Sequence, residues 1–235
     1  MGSPRLDLFV LSASPTARLR QGADYVRCPD VGVAAVAYFY PGSEATRAHV
    51  DEDRAAALAA TTLATNCVDR AQGVSVRVLQ QEAERRDHYS LERLVGSVRL
   101  AHWRVQESMP DPQFVGQLVA IHATGTTLGI VEVGNTVTLH RVRDRQVDCL
   151  AGGDATTPTR PTSASSLGAP GDLDLLVREE PLRHDDVLVL SPVPGLGARL
   201  ASQLASLALD AALARSLGSD APPCFLGLVA HWVEQ

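Results

Sequence analysis

Hydrophobic positions change their spacing along the chain, and the changes mark out the elements. Leu6 to Leu11 and Ala23 to Arg27 predict short strands, separated by the Arg-rich turn "TARLRQG". Val31 to Tyr40 is an almost unbroken apolar run, the pattern of a strand buried on both faces. After Pro41-Gly42 the period becomes helical from Glu44 to about Arg70. The acidic start suits the positive end of a helix, and "RAAALAATTLATNCV" offers a small-residue face for close packing. A second helical zone spans Val76 to Gln106, and Ser90 before Arg93 and Leu94 predicts a break and new cap near Tyr89-Ser90.

From Phe114 to Leu150 the period is that of strands. "FVGQLVAIHA", "TTLGIVEVG", "TVTLHRVR" and "RQVDCLA" follow one another across Thr-Gly, Gly-Asn and Arg-Asp turns, predicting an antiparallel meander. Ala151 to Gly171, rich in Gly, Thr, Pro and Ser, predicts a mobile loop. Strands are expected at Leu173 to Arg178 and Asp186 to Ser191, a helix from Leu196 to Leu217, and a last strand from Phe225 to Val233. Strands and helices do not alternate as in a doubly wound sheet. The order predicts an α+β fold, a four-layer α-β-β-α sandwich of two antiparallel sheets, each covered by helices.

Composition narrows the function. At 235 residues and 45% hydrophobic, the chain can bury one full core, so residues 1–235 are expected to form a single domain. All 21 basic residues are Arg, which removes lysine-based catalysis. A net charge of −6 opposes non-specific nucleic-acid binding. The four cysteines, Cys28, Cys67, Cys149 and Cys224, form no C-x-x-C pair and are expected to be reduced core thiols. With no signal h-region and no membrane-length apolar run, a cytoplasmic location without membrane association is expected.

Four strings, in order, resemble the metal-dependent serine/threonine protein phosphatases of type 2C, in particular their bacterial members. "GADYV" is similar to the strand carrying that family's "N-E-D". "VGVAAVAYFYPG" is similar to the strand ending in "V-A-D-G-M-G-G", and "VEVGNTVTLHRVRDRQVDCL" to the "V-G-D-S-R" hairpin. "SSLGAPGDLDLLVREEPLRHDDVLVLS" resembles the segment running from "ALG" into the second catalytic Asp-Gly. The resemblance implies a β-sandwich flanked by helices, with a binuclear Mn²⁺ or Mg²⁺ site at one end of the sheets. Such ions require converging carboxylates to activate the attacking water.

Carried over residue by residue, those carboxylates are missing. Asp24 keeps the first acidic position, but Ala23 replaces its Glu neighbour. The bridging Asp-Gly falls on Tyr38-Phe39, the turn Asp on Asn135, and the later Asp-Gly on Val193-Pro194. The final Asp-Asn falls near Pro222-Pro223, with Asp220 two residues early. The expectation is a vestigial metal site, at Asp24, Tyr38, Phe39, Val193 and Asp220, that holds no metal or other cofactor and no catalytic residue. Tyr38, Phe39 and Tyr40 then either plug the old cleft or anchor a partner. Arg18 and Arg20 lie near the family's phosphate-binding Arg and are expected, with Tyr38, Phe39 and Tyr40, among the partner-binding residues. The family's flap shrinks here to "AGGDATTPTRPTSAS", which should leave the cleft edge open.

Other residues have ordinary roles. His122 and His140 are expected in the core or on the surface, Ser191 lacks a nucleophile elbow, and "PGLG" at Pro194 to Gly197 is a helix-starting turn. Arg141 and Arg143 are expected on a solvated hairpin face rather than in a phosphate patch. The function expected is a catalytically inactive phosphatase-like domain that binds a protein: a kinase, a phosphoprotein or an enzyme it regulates. The alternatives are a divergent Mn/Mg-dependent phosphatase using Asp24, Asp220 and Asp185 or Asp186, or a small-molecule binder using the emptied cleft.

Overall fold

The computed structural model describes residues 4–11, 22–28, 32–42, 50–72, 86–109, 114–153, 166–192, 194–206 and 225–232. The first hairpin and its flanks comprise β1 (Pro4–Leu11), β2 (Ala23–Cys28) and β3 (Val33–Pro41). Two helices follow, α1 (Val50–Gln72) and α2 (Arg86–Ser108). The meander is β4 (Phe114–Thr124), β5 (Thr127–Val133), β6 (Thr138–Arg143) and β7 (Gln146–Ala151). The chain continues through β8 (Leu176–Pro181), β9 (Val187–Ser191), α3 (Pro194–Ser206) and β10 (Phe225–Trp232).

Two five-stranded sheets result, ordered β1-β10-β9-β6-β7 and β2-β3-β4-β5-β8, and every pairing is antiparallel. Helices α1 and α2 pack on the second sheet and α3 on the first. The expected layering is therefore present: helices, sheet, sheet, helix.

β3 is the centre of this arrangement because both of its faces are covered. Val33, Ala35, Ala37 and Phe39 join a core with Ala55, Ala59 and Leu63 of α1 and Leu94, Val98 and Val105 of α2. Ala34, Val36 and Tyr38 point the other way, into the core between the sheets with Ile121, Ile130, Leu139 and Leu188. A period-2 strand with apolar residues at every position has no other solution. The alanines on α1 let the helix approach the sheet closely, since small side chains shorten the packing distance.

Several boundaries differ from the expectation. α2 passes without interruption through Tyr89-Ser90, because Leu91, Leu94, Val95 and Val98 keep an apolar stripe on the core through that turn, and packing outweighs a possible cap. β8 begins three residues later than predicted and ends at Pro181, which cannot donate to the ladder. The helix start at Glu44 and the part of the last expected helix after Ser206 fall outside the described residues.

The segment expected as a mobile loop is anchored at its far end. Ser166, Leu167 and Gly168 are buried. The Gly116 N–H donates to Ser166 Oγ at 2.8 Å, and the Leu167 N–H to the Gly116 carbonyl at 2.8 Å. The Gly168 N–H donates to His102 Nδ1 at 2.9 Å. Since Nδ1 accepts, Nε2 of this histidine carries the proton and donates to the Gly171 carbonyl at 3.0 Å. A composition rule sees Gly, Ser and Pro and cannot see these bonds.

Gly116 fixes the packing at this junction. It lies opposite Phe39 in the ladder, and a Cβ there would sit 2.5 Å from Phe39 Cε1 and 2.3 Å from the Leu167 carbonyl oxygen. Gly116→Ala should therefore lower stability by about 1–3 kcal/mol, the usual cost of overpacking. Phe39→Leu in the same chain should recover part of that loss relative to the single-mutant effects. Thermal melts of the four proteins in this cycle measure the coupling.

Candidate functional site

The place to examine is the end of the sandwich where β2, β3 and β4 meet the turn after β5. Asp24 is half-buried on β2, opposite Ala37, and its Oδ1 accepts the Tyr25 N–H at 2.8 Å. Beside it, Gly22 turns with a φ of 77°, a conformation that suits glycine. Its carbonyl accepts the Phe39 N–H at 2.7 Å, and its own N–H donates to Asp53 Oδ1 at 2.6 Å in the first turn of α1. The turn before the first acidic strand is thus tied to β3 and to a helix.

The position where the resemblance implies the bridging Asp-Gly is filled by aromatic rings. Phe39, at 1% exposure, lies in the helix-side core and meets Phe114 edge-on at 5.1 Å. Tyr38, at 6%, lies between the sheets, with its ring 5.4 Å from that of Tyr40. Only Tyr40 of the three is half-exposed. Phe39 and Tyr38 are interior side chains that present almost no surface to a partner. The aromatic cluster therefore fills the interior of the site, and any outward contact from it falls to Tyr40 and the exposed Pro41-Gly42.

Next to Tyr38 stands Gln117, fully buried and opposite it in the ladder. Its Oε1 accepts the N–H groups of Asn135 and Thr136, at 2.7 and 3.2 Å. The glutamine therefore holds the turn in which the resemblance implies an Asp. Gly134, with φ 71°, brings the backbone against that side chain. One strand position away from this turn, Glu132 is also buried. It accepts the Gly152 N–H at 2.9 Å and pairs with Arg178. Sequence inspection gave no sign of Gln117 or Glu132, because their partners lie 15 or more residues away.

These residues do not suit two divalent cations. Such ions need several oxygen ligands each, and Tyr38 and Phe39 place hydrocarbon where the bridging carboxylate would be. Among the described residues, no three His, Cys, Asp or Glu side chains converge as a metal site. Glu132, the carboxylate closest to the turn, is committed to an arginine and a backbone N–H. The expectations for Val193, Asp220, Arg18 and Arg20 lie outside the described residues.

Two expectations elsewhere are corrected. Arg141 and Arg143 are not on a solvated face. Arg141 is 8% exposed, bonded to Asp148 at 2.8 Å and to the Pro181 carbonyl at 3.1 Å. Arg143 forks onto Asp186 and also reaches the Pro181 carbonyl. Both guanidiniums are thereby occupied in joining β6 to the end of β8, since a buried cation must be paired. Nor is Cys149 a core thiol: its side chain is exposed, while that of Cys28 is half-buried.

His140 is buried under the first turn of α3. A Cβ on Gly197 would lie 2.7 Å from Thr138 Oγ1 and 3.3 Å from His140 Nδ1, and neither atom has a hydrogen-bond partner among the described residues. Its ladder neighbours are Cys149 and Val189, so they bring no carboxylate to it.

Two predictions follow from this geometry. Phe39→Ala should cost about 3 kcal/mol or more, roughly 6–12 °C in melting temperature, whereas half-exposed Tyr40→Ala should cost less than half as much. The second concerns pH. Desolvation lowers the His140 pKa below its ordinary 6.5, so the unfolded chain binds the proton more readily. The neutral imidazole's contribution is complete above pH 6.5 and is lost as pH falls from there towards the depressed folded value. His140→Gln should flatten the melting temperature between pH 7.5 and 5 relative to the parent.

Comparison with known proteins places the architecture. No family model and no curated protein matches the sequence. Solved structures do match. The catalytic domain of the serine/threonine protein phosphatase PstP, in complex with two manganese ions, aligns over 100% of both chains at 17% identity and a TM-score of 0.62. The PPM Ser-Thr phosphatase MsPP from Mycobacterium smegmatis, in complex with cacodylate, aligns over 98% of each chain at 16% identity and a TM-score of 0.63. PppA, described as a key regulatory component of T6SS in Pseudomonas aeruginosa, aligns over 98% of this chain and 100% of its own at 16% and 0.62. The chain thus has the fold of the PPM serine/threonine phosphatases, with aromatic side chains where the resemblance implies the bridging Asp-Gly.

Proposed function

We propose that residues 1–235 form one phosphatase-like domain that has no hydrolytic activity and works in the cytoplasm by binding a protein. The observation that carries this is the burial of Tyr38 and Phe39 in two separate cores at the bridging position. Phosphate hydrolysis in this fold calls for a metal-activated water, and that water calls for converging carboxylates, of which no group of three is found among the described residues.

A domain without chemistry keeps its fold for what the surface recognises. The partner class is a kinase, a phosphoprotein or an enzyme under its control. Support comes from the architecture shared with PppA, itself described as a regulatory component. No described helix is long and apolar enough to cross a membrane.

The purified protein should not hydrolyse a phosphoserine peptide or an aryl phosphate above the blank, with or without Mn²⁺. Asp24→Ala should change neither trace. A Mn²⁺-dependent rate well above background that disappears in Asp24→Ala would overturn the proposal.

A further inference from the structure

We propose that the groove between α2 and residues 171–173 is the protein-docking surface, and that it takes a segment presenting an apolar side chain between an acidic and a basic residue. This rests on the binding function proposed above and names the surface for it.

The groove encloses about 810 Å³ and is lined on one side by Gly96, Arg99 and Trp103 of α2, and on the other by Gly171, Asp172 and Leu173. Positions 96, 99 and 103 recur at helical spacing, so they form one stripe along the helix. Trp103 is 67% exposed, the most exposed large hydrophobic side chain among the described residues. A tryptophan left in water gives up the burial that would otherwise stabilise the fold. At interfaces the same ring is a preferred anchor, because it buries much area with few rotatable bonds.

Two features show that the groove is built to stay open. His102, a largely buried residue of the groove's own lining, holds Gly168 through Nδ1 and Gly171 through Nε2, so the far wall is fixed to α2. Gly96 is the other. It stands inside a helix, where glycine costs about 0.5–1 kcal/mol relative to alanine. A Cβ there would meet nothing within 4 Å. Among the described residues no neighbour requires a glycine at that point, and its effect is to bare the helix backbone at the groove's rim.

Charge selects the occupant. Arg99 and Asp172 face the groove from opposite walls, both exposed. Neither has an ion-pair partner among the described residues. A polyanion such as nucleic acid would satisfy Arg99 but meet Asp172 and a net charge of −6. A segment with an acid towards Arg99, a base towards Asp172 and an apolar side chain on Trp103 and Leu173 satisfies all of them. Such rim charges set orientation and partner choice.

The test uses fluorescein-labelled synthetic peptides in which Glu and Arg flank a Leu or Phe at varied spacing. All-Glu and all-Arg versions and a single-stranded DNA oligomer serve as controls, and binding is read by anisotropy on the full chain. Mixed-charge members should bind in preference to every control. Trp103→Ala and Arg99→Glu should each raise Kd at least tenfold with an unchanged melting temperature, because both side chains are exposed. The all-Arg version should regain binding on Arg99→Glu. If no mixed-charge peptide exceeds the controls, or if both variants bind as the parent does, the docking surface is not this groove. Equal competition by the DNA oligomer would overturn it too. A Mn²⁺-dependent phosphatase activity alongside groove binding would strike only the earlier proposal, and an inert enzyme assay with an inert groove would strike only this one.

Discussion

The double burial of β3 is the constraint on which the rest of the structure depends. A strand covered on both faces cannot carry a charge on either without a partner, because an isolated buried carboxylate costs far more than the strand's packing supplies. In a metal-holding version of this fold, the ions are that partner. Here Tyr38 and Phe39 continue the apolar alternation to the strand's end, sending one ring between the sheets and the other under the helices. With hydrocarbon at those two positions, this end of β3 carries no charge that calls for an ion.

Closure then needs other ties. At this end they are hydrogen bonds from a neutral side chain and one ion pair: Gln117 holds the turn at Asn135 and Thr136, and Glu132 joins Gly152 to Arg178. Beyond β6, Arg141 and Arg143 converge on the Pro181 carbonyl with Asp148 and Asp186 as counter-charges. Each of these ion pairs joins a buried charge to a specific opposite, which is the condition under which burial is tolerated. The carboxylates of Glu132, Asp148 and Asp186 serve the backbone and the arginines.

What could be read in the sequence follows from how local each cause is. The apolar run of β3, the meander and its Gly-containing turns express a period visible within ten residues, and they gave the layers correctly. The aromatic pair Tyr38-Phe39, where the resemblance implies an Asp-Gly, was legible because a carboxylate and an aromatic differ in kind at a single position. The anchoring of Gly168 by His102 was not, since the two are 66 residues apart and neither sits in a motif. The same applies to Arg141 and Pro181, 40 apart. Composition assigned a hairpin arginine to solvent, and only the fold of the second sheet brought a carbonyl to it.

The groove beside Trp103 illustrates the converse. Nothing in the hydrophobic pattern of α2 singles out this tryptophan, because a helix of this amphipathicity tolerates one aromatic anywhere on its surface. Its meaning depends on the far wall, which exists only because His102 uses both ring nitrogens to hold residues 168 and 171. The tautomer required for those two bonds is the neutral imidazole, with Nδ1 accepting. A second proton on the ring would turn that acceptor into a donor facing the Gly168 N–H, and two donors cannot share one bond. Wall and helix are therefore one unit. The side chain that keeps the groove in shape is itself part of its lining, tied on both ring nitrogens to the wall it holds.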